Sequence, residues 1–171
     1  MRIHEKQTTA AGLLVNPRQC CIGLAALLTG TLVYVVDRPP TTYFVEKWSL
    51  SLYGVVPNLF GVLDRSLASF LHIFAMILLT AGVGVMTRRG YVGVCSFWLT
   101  VEVLFEWGQA HGRRVAAFIP SGWDGIPFLE SAKSYFVNGS YDPWDMAAFL
   151  LGTAAAAYVL IRTGPKGDKG G

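Results

Sequence analysis

The stretch 91–109, YVGVCSFWLTVEVLFEWGQ, constrains this chain more than any other. It is apolar enough to enter the hydrocarbon core of a membrane, yet it carries Glu102, Glu106 and Gln109. Spacings of four and three residues put all three side chains on one face of a helix. A carboxylate in hydrocarbon costs about 2.5–3.5 kcal/mol on insertion scales, and here there are two. Other helices must receive that face, so the stretch calls for a bundle rather than a lone span.

Composition agrees. Of 171 residues, 15% are charged and 53% hydrophobic, with mean hydropathy +0.44, against about 25% charged in an ordinary soluble domain. A net charge of +3 without a long Lys/Arg block excludes a nucleic-acid partner. Cys20, Cys21 and Cys95 have no metal-ligand spacing, and their order in the chain does not reveal their redox state.

The expected fold is all-α: a polytopic membrane bundle of four transmembrane helices over 20–36, 66–86, 91–109 and 144–161, one domain from 20 to 162. The first span, bounded by Asp37-Arg38-Pro39-Pro40, lacks a small-x-small site before Asp37 and reads as an uncleaved signal anchor. Segment 48–63 is apolar but broken by Gly54, Pro57 and Gly61; it reads as an extra interfacial or re-entrant helix that does not span. Residues 110–141 read as a soluble loop. Segment 1–19 is expected to be cytoplasmic and 163–171 a disordered cytoplasmic tail. Arg2, Lys6, Arg18, Arg88, Arg89, Arg162, Lys166 and Lys169 gather on one side of this arrangement, which by the positive-inside rule puts both termini in the cytoplasm.

In this topology His72, Glu102, Glu106, Gln109 and Asp145 fall in one layer of the outer half. Each has a structural explanation. Asp142-Pro143 has the form of a helix start, with Asp142 as N-cap and Asp145 in the first turn. His72 can be an interhelical hydrogen-bonding group, and Glu106 and Gln109 can be wet at the interface. Glu102 is the hardest to dismiss. Trp98, Trp107, Trp123 and Trp144 read as interfacial or packing aromatics. Ala148, Gly152 and Ala156 give the last helix a small-residue face for close packing.

Three short motifs are similar to the VanZ-like family of small bacterial membrane proteins. They are Phe70-Leu71-His72, then Phe105-Glu106-Trp107-Gly108-Gln109, then Gly139-Ser140-Tyr141-Asp142-Pro143-Trp144-Asp145. They stand where the family has an FLH stretch, an E-x-x-Q pair and a G-T-F-D-x-x-D stretch. Ser140-Tyr141 replaces Thr-Phe, and the resemblance covers roughly 58–160. It implies a multi-pass protein of the bacterial cytoplasmic membrane with cell-envelope work. The family's named activity is low-level resistance to the glycopeptide teicoplanin. It implies no particular reaction.

Two functional readings follow. In the favoured one the protein is not an enzyme: its polar layer holds the bundle together or binds a lipid head group or partner helix. The ligand-binding candidates are His72, Glu102, Glu106, Gln109, Asp142, Asp145 and Arg113. In the alternative it is a membrane enzyme acting on a lipid-linked or cell-wall substrate at the outer leaflet. Glu102 or Glu106 would then be the base, with His72 as partner or with a divalent metal. Arg113 and Arg114 could grip a phosphate or carboxylate, although adjacent loop arginines are more often solvated. No cofactor is expected; nothing in the spacing supports a metal.

Overall fold

Asn16 and Pro17 start the first helix, α1 (Pro17–Asp37), three residues before the expected boundary at 20. Proline at the first helical position has its φ preset, and the Asn16 side chain accepts the Gln19 N–H at 3.3 Å, satisfying one of the free donors. The computed structural model describes residues 15–40, 43–84, 86–127 and 129–164. The expectations for 1–14 and 165–171 lie outside the described residues. α1 ends at Asp37, ahead of Pro39-Pro40, where the residue before a proline is pushed out of the helical region.

Segment 48–63 holds no interfacial helix. A five-residue helix, α2 (Tyr43–Lys47), precedes it, and the segment itself is a chain of turns with one isolated bridge, Tyr53 to Val56, and a 3-10 turn at Gly61–Leu63. Ser49, Gly54 and Gly61 all have positive φ, which breaks helical continuity three times in thirteen residues. Trp48, Leu52, Val55, Leu59 and Val62 are nonetheless exposed. The segment is fastened by Asp37, whose buried carboxylate accepts the backbone N–H groups of Leu59 (3.0 Å) and Phe60 (2.6 Å).

The second long helix, α3 (Asp64–Gly82), stops four residues short of the expected 86. Its last carbonyl, on Gly82, is taken by the Asn16 N–H at 2.7 Å, and Gly82 lies so close to Cys20 that a Cβ there would sit 2.7 Å from Sγ. Thr87 caps α4 (Arg88–Ala110) by accepting the Gly90 N–H. The expected soluble loop 110–141 contains α5 (Gly112–Phe118) and α6 (Ala132–Asn138), joined through short 3-10 turns. Two turns of helix are too short to show a readable periodicity. α7 (Pro143–Thr163) begins as expected, with Asp142 accepting the Trp144 N–H at 2.9 Å and Pro143 first in the helix.

The centre of the bundle is α3, not the 91–109 stretch. α3 packs against α1, α7 and α4, and buries Ala68, Ile73, Ala75, Ile77, Leu78 and Ala81. Ile73, Ile77 and Leu78 form one core with Tyr91, Phe149, Ala156 and Leu160. α4 carries carboxylates and needs an apolar neighbour to enclose them; α3, with His72 as its one ionisable residue between Ser66 and Gly82, is that neighbour. The small face of α7 is real: Ala148, Gly152 and Ala156 are buried, and a Cβ on Gly152 would lie 2.6 Å from Ile73 Cγ2 and 2.8 Å from the Phe70 carbonyl. That contact lets two backbones approach as only a glycine permits.

The described residues contain no strand. Two helices, α1 and α7, are each long and apolar enough to cross a membrane; the apolar part of α3 is shorter, and α4 does not meet that measure. The chain buries only 33% of the apolar window of α1 and 28% of that of α7. Leu24, Leu28 and Leu32 on α1, and Leu150, Leu151, Tyr158 and Ile161 on α7, face outward.

Candidate functional site

Helical geometry brings the acidic face of α4 against α3 and the start of α7. His72 Nδ1 lies 3.0 Å from Glu102 Oε1. The imidazole is half exposed, at 50%, while the Glu102 side chain is 10% exposed, so the carboxylate is enclosed and the ring looks outward. An ionised carboxylate only accepts, so the hydrogen bond from Nδ1 requires a proton on that nitrogen. One turn further on, Glu106 is 5% exposed and its Oε2 accepts the backbone N–H of Asp142 at 3.2 Å. Asp145 Oδ1 accepts the Ser69 hydroxyl at 2.7 Å, tying the first turn of α7 to α3. Tyr34 of α1 lies close enough to feel the charges of Asp145 and Glu102.

Five of the expected residues are thus engaged here: His72 with Glu102, Glu106 with the Asp142 backbone, and Asp145 across to Ser69. The Asp142 carboxylate is used in capping. Gln109 points away from this layer; its Nε2 donates to Tyr135 Oη at 2.6 Å, holding α6 against the end of α4. Removal from water pushes the Tyr135 hydroxyl up to about 12, and the Gln109 hydrogen bond opposes that rise. Tyr135 is therefore a neutral phenol at physiological pH. Phe105 packs edge-on to Tyr135 and stacks on Phe136 in the same junction. Arg113 is outside the layer altogether, exposed on α5.

Sequence reasoning missed Ser69 and Tyr34, because a serine and a tyrosine in apolar runs have no signal of their own. It also missed a second polar cluster at the opposite end of the bundle. There Gln19, fully buried, donates through Nε2 to Thr163 Oγ1 (3.0 Å) and Tyr91 Oη (3.3 Å), while Asn16 Nδ2 donates to the Thr163 carbonyl at 2.9 Å. The one available clue was a glutamine one residue before a long apolar run. Trp98 proves to be a tie as well as packing, donating from Nε1 to Thr80 Oγ1 at 3.0 Å.

His72 and Glu102 offer two ligands to a cation, but among the described residues no group of three or more His, Cys, Asp and Glu side chains is gathered for one. Chemically, the arrangement can hold charge between helices, and it leaves the His72 side chain half exposed. No family model matches the chain, and no curated protein or solved structure matches it significantly.

Proposed function

We propose that the protein is a non-enzymatic, four-span protein of the bacterial cytoplasmic membrane, of the VanZ-like kind, serving the cell envelope. Its outer polar layer locks the helix ends and offers His72–Glu102 to a lipid head group or a partner helix. The observation that carries this reading is the use of the carboxylates. Those of Glu106, Asp142 and Asp145 each accept a donor that fixes the start of α7 or its junction with α3 and α4. Glu106 and Asp145 are thus interhelical ties, as polar residues in membrane bundles usually are, and Asp142 is the cap of α7. The outward leucines of α1 and α7 suit acyl chains, and the exposed Trp107 and Trp144 suit the interface. α3, with a shorter apolar stretch, and α4, with Val92, Phe97, Leu104 and Phe105 outward and Glu102 and Glu106 buried, complete the bundle with these carboxylates turned inward.

One observation favours an enzyme acting on a lipid-linked or cell-wall substrate at the outer leaflet. The half-exposed imidazole of His72, backed by an enclosed carboxylate, has the form of a general base held by an orienting partner. A single set of variants separates the readings. Glu102→Gln preserves shape and a hydrogen-bonding group, so a structural or head-group role should leave abundance and glycopeptide sensitivity close to wild type. Glu102→Leu leaves His72 unpaired, costing about 1–3 kcal/mol, and abundance should fall with it. Loss of the envelope phenotype at full abundance in Glu102→Gln would sink the structural reading and favour catalysis.

A further inference from the structure

Beyond the polar layer, the end of α4 opens into a cleft of about 470 Å³ lined by Gln109, His111, Gly112, Arg113, Arg114 and Phe136, with Ala110 and Val137 at its edges. Its shape depends on Gly112. A Cβ there would fall on the Phe136 carbonyl, so α6 lies directly on the α5 backbone and forms one wall. Among the described residues no acidic side chain lines the cleft. Two guanidiniums do, and neither has an ion pair or hydrogen bond among the described residues, whereas the loop lysines Lys47 and Lys133 are paired with Glu130 and Asp124.

His111 Nδ1 is engaged with the Trp107 carbonyl at 3.0 Å, which makes Nδ1 the donor and directs any second proton to Nε2. The Gln109 amide has one N–H on Tyr135 and a second to give. The cleft therefore presents donors and positive charge, with no acceptor charge to balance them.

We propose that this cleft binds a phosphate-bearing anion, gripped by Arg113 and Arg114. Paired planar guanidiniums match the oxygens of phosphate in bidentate geometry. A volume of this size holds a head group rather than a single small ion. The His111 ring lies 4.6 Å from that of Trp107, an exposed indole, so the cleft continues into the aromatic surface that the membrane reading puts at the interface. Lipid phosphates occupy that level. The shared chemistry is a phosphate mono- or diester; the source is either an anionic lipid or a soluble phosphate. The inference rests on the membrane reading only for the lipid source.

The test uses the purified full chain in detergent. Pyrophosphate is titrated calorimetrically, with acetate as comparator, and phosphatidylglycerol is compared with phosphatidylcholine by counting retained lipids in native mass spectra. The chain is expected to prefer pyrophosphate to acetate, or phosphatidylglycerol to phosphatidylcholine. R113Q/R114Q should weaken that binding about tenfold or more, whereas R162Q, at the opposite end beside Tyr158, should not. Retention of phosphatidylglycerol without pyrophosphate binding identifies the lipid source; pyrophosphate binding alone identifies a soluble one. Should R113Q/R114Q lose helical circular dichroism, R113K/R114K keeps the charge and removes the fork, and must still bind more weakly. Equal binding by wild type and the folded arginine variant, no preference over acetate and phosphatidylcholine, or no binding overturns the proposal. A chain that stayed in solution without detergent would undo the membrane reading, and the pyrophosphate titration would still judge the cleft.

Discussion

Tyr135 shows how one hydroxyl reports on a junction between elements. Its pKa of about 12 in the folded protein is above the ordinary tyrosine value near 10. A folded-state value raised in this way contributes stability that is fully present below about pH 10 and disappears as pH rises through 12. The docking of α6 on α4 should therefore loosen only in strong alkali. A spectrophotometric titration of wild type minus Tyr135→Phe should give a phenolate signal centred near 12; a midpoint near 10 would mean that the hydroxyl is not shielded from water at the α4–α6 junction. At this same scale the sequence was partly legible. Asp142 announced itself as a cap because Asp-Pro before an apolar run has one economical reading. The topology placed His72 and Glu102 in one layer, and the folded chain pairs them. Ser69 and Gln19 were silent, since their roles exist only once a distant helix supplies Asp145 or Thr163.

Among the elements, α7 carries the sharpest test of packing. Gly152 meets Ile73 Cγ2 and the Phe70 carbonyl at distances that no real Cβ could tolerate, whereas Gly93 on α4 has open space where a Cβ would go. Gly152→Ala should force α3 and α7 apart and destabilise the bundle by about 1–3 kcal/mol. Gly93→Ala should raise stability by about 0.5–1 kcal/mol, because it removes a mid-helix glycine at no steric cost. Thermal denaturation of the two variants in one detergent makes the comparison; equal midpoints would contradict the close α3–α7 contact. The helices themselves were visible as long apolar runs. Their ends were less so: α3 ends where Asn16 takes the Gly82 carbonyl, an event invisible from within 66–86. α5 and α6 escaped notice because seven residues hold less than two turns of pattern.

At the scale of the whole molecule, the two clusters of polar contacts sit at opposite ends of the bundle, and the basic residues favour the Gln19 end as the inner one. Single cysteines at Ser121 and Ser140 should react with an impermeant thiol reagent on intact cells, while one at Arg88 should react only after permeabilisation; a native-cysteine-free background is needed because Cys21 is exposed. Labelling at Arg88 alone would invert the bundle and put His72–Glu102 and the arginine cleft at the inner leaflet. The organising role of α3 could not be read from the chain, because it lies in what packs on the helix rather than in any residue it carries.

The tie between Gln19 and Thr163 also has a consequence in time. The amide belongs to the first helix synthesised, and its partners Tyr91 and Thr163 follow 72 and 144 residues later. At bacterial-to-eukaryotic elongation rates of about 5–20 residues per second, the second partner emerges roughly 7–30 s after Gln19. Until both have been made, a nascent chain has a helix-end amide without the full set of partners it has in the finished bundle, a mark by which a proteolytic surveillance system can tell an unfinished bundle from a finished one. A chain truncated after Leu160 retains nearly all of the core yet never closes the tie. It should be cleared from cells faster in pulse–chase than the full chain, and Gln19→Leu, which erases the mark, should restore its lifetime.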